Sequence, residues 1–290
     1  MHPFAYVEPK TVKEAVAALS KYGDKARPLA GGTDLLVQTR AGRFNLDAVV
    51  NLKKIPELMS VKLDANGLEV GAAVPCYRVY EDPKVSAAFP GLIDAASLIG
   101  GIQIQSRASM GGNLCNSSPS ADATCPMIVH NGVAVIAGPK GTRKVAIEEF
   151  CTGPGKNALA AGEFVVTLQF PKPSPTFGAA YERFIPRNEM DIAVVGIASS
   201  VTLDAAGKTI KNARIALAAV GPIPIYAVAA SEWLKGKPAN EASIAQAAAM
   251  AKAAARPITD MRGTIEQRKH LVEVLARRTL TKAIERARGK

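Results

Sequence analysis

Val12, Ala15, Val16 and Leu19 recur at helical spacing near the start of the chain. Thr11-Val12-Lys13-Glu14 has the Ser/Thr-x-x-Glu form of a capping box and Gly23 ends the run, so a helix is predicted after an extended start. Arg27 to Ala30 reads as a short strand, Gly31-Gly32-Thr33 interrupts it, and Asp34 to Ala41 reads as a helix closed by Gly42. Ala48 to Leu52 is a further strand. Val61 to Leu63 and Leu68 to Val70 flank Asn66-Gly67, the strongest short hairpin signal. Val85 to Ile99 is predicted helical, with a break at Pro90-Gly91.

The pattern then changes. Gly100 to Asp122 is dominated by Gly, Ser, Asn and Gln, and a loop of about twenty residues inside an apolar chain points to function. Ala121 to His130 is predicted as a helix ended by Asn131-Gly132. Val133 to Ala137 and Val165 to Phe170 are predicted strands around the turn Gly138-Pro139-Lys140-Gly141. Pro171-Lys172-Pro173-Ser174-Pro175 has the composition of an extended linker. Beyond it, Ala179 to Phe184, Ala193 to Leu203 and Ala213 to Val220 suggest an antiparallel meander. Two helices follow, Asn240 to Ala255 and Thr264 to Arg288, the second with Ile265, Leu271, Leu275 and Leu280 among charges. No internal repeat is evident, and the class is α+β.

At 290 residues and 48% hydrophobic, the chain has material for a substantial core, which excludes global disorder. Aromatics are only 5%, so small aliphatic residues fill the interior and a base-stacking surface is disfavoured. No uninterrupted apolar run reaches the roughly 18 residues of a membrane span, and the start lacks the form of a secretory signal, so a cytoplasmic protein is expected. Cys76, Cys115, Cys125 and Cys151 include no Cys-x-x-Cys pair, which favours free thiols and no metal site in this chain. Most of the net charge of +11 lies beyond Met250. It reads as a solvated helix face or a docking surface for an acidic partner, because no nucleic-acid-binding motif accompanies it.

Nucleotide chemistry of the commonest kinds is disfavoured. Gly138-x-x-Gly141-Thr142 lacks the Gly-Lys-Ser/Thr ending of a triphosphate loop, and there is no Gly-x-Gly-x-x-Gly. Two glycine loops remain, Ala30-Gly31-Gly32-Thr33-Asp34 and Ser109-Met110-Gly111-Gly112-Asn113, the second followed by Ser117-Ser118-Pro119-Ser120-Ala121-Asp122. Glycine allows close backbone approach and places successive N–H groups around an anion, while Thr and Ser add hydroxyl donors. Either loop alone is equally well a tight turn, but two together can clamp one pyrophosphate.

The pair resembles the flavoprotein (medium) subunit of the molybdenum hydroxylases, in which the motifs read roughly Ala-Gly-Gly-x-Asp/Ser and Thr/Ser-x-Gly-Gly-Asn. The likeness extends along essentially the whole chain through Asn51-Leu52, Ile55-Pro56-Glu57-Leu58, Gly71-Ala72 and Asp260-Met261-Arg262-Gly263. A third motif, Tyr181-x-Arg183-x-x-x-Arg187-x-x-x-Asp191-Ile192-Ala193, is similar to that family's Tyr-x-Lys-x-x-x-Arg-x-x-x-Asp-x-Ala. The resemblance implies a two-subdomain FAD-binding fold of the vanillyl-alcohol-oxidase type over residues 1–58 and 59–175. A C-terminal flavoprotein domain of antiparallel sheet plus helices would follow over 176–290. It also implies that Leu29, Ala30, Gly31, Gly32, Thr33 and Asp34, with Ser109, Gly111, Gly112 and Asn113, hold the FAD pyrophosphate. Asp122 would lie on the adenosine side and Ile192 against the flavin ring. Arg183 stands where relatives commonly have Lys near the flavin's polar edge.

By the same resemblance the chain would be the electron-transfer subunit of a dimer of heterotrimers. A large partner subunit would carry a molybdopterin-type molybdenum cofactor, and a small one two [2Fe-2S] clusters. Electrons would pass through FAD to NAD or another acceptor, and the organic substrate would bind elsewhere. His2, His130 and His270 read as structural or solvated, Asp94 and Asp191 form no acid–base pair, and Cys115 reads as a small buried thiol. The rival readings are a stand-alone FAD-dependent oxidoreductase of the same fold, which would need acid–base residues of its own, and a basic nucleic-acid-binding module.

Overall fold

The computed structural model describes residues 2–289. The first sheet contains β1 (Ala5–Val7), β2 (Ala26–Leu29) and β3 (Ala48–Asn51), with α1 (Val12–Tyr22) and α2 (Leu35–Arg40) as crossovers. Its order is β1-β3-β2 and its strands are parallel, so each connection must cross over, and helices do this. Thr11 Oγ1 caps α1 by accepting the Glu14 N–H at 3.2 Å. The Glu14 carboxylate reaches back to the N–H of Lys10 at 2.7 Å, one residue beyond the usual capping box.

The second region carries β4 (Val61–Leu63), β5 (Gly67–Gly71), and the helices α3 (Cys76–Tyr80), α4 (Pro83–Ala88), α5 (Pro90–Ala96), α6 (Ile102–Gln105), α7 (Met110–Asn116) and α8 (Thr124–Val129). It closes with β6 (Val133–Gly138), β7 (Gly141–Ala146), α9 (Ile147–Phe150), the small pair β8 (Cys151–Gly153) and β9 (Lys156–Asn157), and β10 (Phe164–Pro171). The main sheet is antiparallel in the order β4-β5-β10-β6-β7, and the Asn66-Gly67 hairpin forms with Val61 opposite Val70.

Two sequence expectations need correction here. The strand across the Gly138–Gly141 turn is β7, not Val165 to Phe170, which pairs with the other edge of β6. Residues 141–144 of β7 are all exposed, so no apolar alternation announces an edge strand. Gly100 to Asp122 is likewise not one loop, since it holds α6 and α7. Helices this short with Gly and Asn in them are marginal by propensity, and α7 is fixed by its Ser109 cap and by burial of Met110 and Leu114.

The third sheet is the expected antiparallel meander, β11 (Phe177–Phe184), β12 (Val195–Leu203), β13 (Ile210–Ala218) and β14 (Ile225–Tyr226) in sequential order. It is followed by α10 (Val228–Trp233), α11 (Glu241–Ala254) and α12 (Ile265–Ala287). Val272, Leu275, Ala276, Leu280 and Ala283 of α12 share a core with Val195, Ile197 and Val201 of β12. The opposite face of this sheet supplies Tyr181, Ala198 and Ala216 to the core of the second region.

An ion pair crosses the same boundary. Arg286 of α12 grips Asp94 of α5 with Nη1 and Nη2 at 2.6 and 2.9 Å, and its Nη1 also donates to the Ala179 carbonyl at 2.6 Å. Nearby, His130 at the end of α8 is buried between the rings of Phe89 and Phe177, with centroids 5.6 and 5.2 Å away. Burial pushes its pKa down to about 3, so it is a neutral core side chain at physiological pH.

Candidate functional site

The first glycine loop is the turn between β2 and α2, where Gly32 takes φ +80°, a conformation that side chains with a Cβ rarely adopt. The N–H groups of Gly31, Gly32, Thr33, Asp34 and Leu35 find no acceptor among the described residues. Five successive free donors on one turn are the raw material of an anion site.

The second loop enters α7. Ser109 Oγ accepts the Gly112 N–H at 3.0 Å, and Asn113 Oδ1 accepts the Ala123 N–H at 3.1 Å. Asn113 thereby fixes the start of α8 and is left with only its amide donors. The glycines of the two loops have different duties. A Cβ on Gly31 would run into the carbonyl of Arg107, and one on Gly111 would stand 2.7 Å from Ala72 Cα, so both are packing glycines. A Cβ on Gly112 would meet only Ser109 Oγ at 3.0 Å and, across the gap, Ala30 Cβ at 3.9 Å.

The loops therefore face each other. They line one cavity of about 490 Å³ whose wall includes Ala30, Gly31, Gly32, Thr33, Asp34, Ser109, Gly111, Gly112 and Asn113. Gln38 Nε2 donates to Asn116 Oδ1 at 2.9 Å and clasps α2 to α7. Sequence reasoning missed this contact, because a Gln and an Asn 78 residues apart carry no local signal of pairing. The Leu29 side chain is buried beside Leu46 and Val49, and Leu29 is not among the residues of the cavity wall.

Asp122, Arg183 and Ile192 lie outside the wall of this cavity. Arg183 Nη1 donates to Asp122 Oδ2 at 2.6 Å, and the Tyr181 hydroxyl donates to Asp122 Oδ1 at 2.7 Å. Burial raises the Asp122 carboxyl to about 6, even though Arg183 and the Tyr181 hydrogen bond pull it down. Arg183 Nε and Thr124 Oγ1 are buried without a partner among the described residues. Asp122 and Arg183 thus form one hydrogen-bonded pair, with Tyr181 as its third member. Ile192 is 48% exposed, and Asp191 just before it accepts Arg187 Nε at 3.2 Å.

Residues 2–173 match the family model of the FAD binding domain in molybdopterin dehydrogenase, and residues 179–283 match the CO dehydrogenase flavoprotein C-terminal domain. The chain is 31% identical to the xanthine dehydrogenase FAD-binding subunit of Escherichia coli O157:H7, over 100% of this chain and 99% of that protein. It is 30% identical to the carbon monoxide dehydrogenase medium chain of Afipia carboxidovorans, over 99% and 98% of the two chains. Among solved structures, a chain of the Cu,Mo-CO dehydrogenase superposes with a TM-score of 0.93 at 30% identity, covering 99% of this chain and 100% of the other. A chain of quinoline 2-oxidoreductase from Pseudomonas putida 86 gives 0.90 at 28% identity, covering 99% and 98%.

Proposed function

Because this chain belongs to the family of FAD-binding subunits of the molybdopterin-dependent dehydrogenases, we propose that it holds FAD between its two glycine loops and relays electrons within a molybdenum hydroxylase. The electrons come from [2Fe-2S] clusters of a small partner subunit and leave to NAD or another acceptor. A large subunit with a molybdopterin-type cofactor oxidises the organic substrate, and two heterotrimers pair. In this reading residues 1–175 form the two-subdomain FAD-binding fold of the vanillyl-alcohol-oxidase type. The location is the cytoplasm, where free thiols such as the four found here persist.

The observation that carries the proposal is the meeting of two glycine loops from different parts of the chain on one cavity. The residues present fit the cofactor. Free N–H groups from Gly31 to Leu35 hold the pyrophosphate, the Asn113 amide adds a donor, and the bare Cα of Gly112 leaves room that a side chain would fill. When bound, FAD couples one-electron donors to two-electron acceptors. Asp122 and Tyr181 hold Arg183 in place near the flavin's polar edge, and Ile192 lies against the ring.

Titration of the purified chain with FAD tests this. A bound-flavin visible spectrum at one FAD per chain, and co-purification with iron- and molybdenum-containing subunits, are expected. A chain with no affinity for FAD would sink the proposal, and a flavin-bearing chain that turns over a substrate alone would replace it with the stand-alone enzyme.

A further inference from the structure

We propose that Arg27 and Arg43, flanking the ring of Phe44, form a second anion-binding element of the cavity that takes a phosphoryl group of the dinucleotide. This rests on the reading that the cavity holds FAD, and it concerns residues outside both glycine loops.

Arg27 Cζ stands 4.9 Å and Arg43 Cζ 5.5 Å from the centroid of the Phe44 ring. Phe44 packs against the buried cluster of Leu29, Leu46 and Val49, so the ring is a fixed platform. All three residues share the cavity wall with Gly31 to Asp34. Guanidinium faces are attracted to the ring, which draws two like charges together. Among the described residues neither has a carboxylate within 4.0 Å to neutralise it.

The two arginines are also held differently from those that serve the fold. Arg143, by contrast, is spent on Glu163 at 2.7 Å and the Ala158 carbonyl at 2.6 Å. Arg27 is oriented through Nη1 alone, which donates to the carbonyls of Asp24 and Ala26 at 2.9 and 2.8 Å, and its other nitrogens donate to no acceptor among the described residues. The Arg43 side chain donates to no acceptor among the described residues. It lies over Gly155, where an added Cβ would come within 2.6 Å of its Nη2, so the turn between β8 and β9 leaves room for the guanidinium.

The acids of the wall are Asp24, Asp34 and Glu163; Glu163 is engaged by Arg143, and burial holds the Asp34 carboxyl above its ordinary range. The backbone donors of the loop offer only partial charges to a pyrophosphate dianion. Two unpaired guanidiniums on the same wall supply full charges and the forked geometry that phosphoryl oxygens accept.

Apo-protein of the full chain is titrated with FAD and with riboflavin by flavin fluorescence, at several KCl concentrations. Arg43→Gln is the informative variant because it breaks no hydrogen bond within the protein, whereas Arg27→Ala also frees two backbone carbonyls. Arg43→Gln should weaken FAD by about ten- to hundredfold, as expected for loss of a charged hydrogen bond. It should also flatten the salt dependence and leave riboflavin unchanged. Arg43→Lys should restore most of the salt dependence. Wild-type affinity and salt dependence in Arg43→Gln, or an equal loss of riboflavin, overturns the assignment while the glycine-loop site stands. A wild-type chain that binds no FAD overturns both.

Discussion

Arg183 and Asp122 are joined at 2.6 Å with side chains only 5% and 10% exposed, so the cation of the third motif carries its own counter-charge. A lone positive charge near the flavin's polar edge would stabilise the reduced, anionic ring. Paired with Asp122, Arg183 would have less effect there than its formal charge suggests.

Asp122→Asn should therefore raise the FAD reduction potential, and Arg183→Ala should lower it by less than the ~1 to 4 kcal/mol of an uncompensated charge at close range. Redox titration of both variants checks the opposite signs. Because the Asp122 carboxyl titrates near 6, acidification through pH 6 should uncover Arg183 and raise the potential more steeply in the wild type than in Asp122→Asn.

Gly112→Val should abolish FAD binding and leave the chain folded, since its Cβ projects between the loops and Val is better than Gly in a helix by roughly a few tenths of a kcal/mol. Gly32→Val should lose FAD as well, but with a lower unfolding midpoint, because a β-branched residue is strained at φ +80°. Gly31→Val should fail at the level of folding, against the Arg107 carbonyl. Flavin content and denaturant melts together separate the three; wild-type flavin in Gly112→Val would remove the loops as cofactor contacts.

The flavin should be released entirely by acid precipitation. Cys115 lines the cavity, but burial pushes its thiol up to about 12, which leaves almost no thiolate at neutral pH to attack the ring. Yellow colour remaining in the protein pellet would contradict this.

His130 makes the fold acid-sensitive. Its folded-state pKa of about 3 lies below the ordinary 6.5, so its contribution is intact above pH 6.5 and is lost as pH falls toward 3. Asp122 acts in the other direction between about 6 and 3.8, where the folded state takes up its proton first. Urea midpoints at pH 7.5 and pH 5 should fall more in the wild type than in His130→Leu; equal falls would show that other groups control the acid limb.

The glycine loops and the C-terminal meander were legible because each announces itself locally, through paired glycines or runs of small apolar residues in the sheet. β7 was not, since an edge strand with an exposed Thr142-Arg143-Lys144 lacks the alternation that a half-buried strand shows. The arginine pair on Phe44 was equally silent: Arg27 sits in a strand, Arg43 and Phe44 follow a helix, and only the tertiary fold stacks them. Asp122 was visible as a residue, but its pairing with Arg183, 61 positions along the chain, carries no local signal.

The ion pair between Asp94 and Arg286 spans 192 residues of sequence. During synthesis the carboxylate on α5 must wait for nearly the entire remaining chain before its partner leaves the ribosome. Contacts of such separation are slow to close and come late on the folding path. The packing of α5 against α12 is thus completed only after that helix has been made.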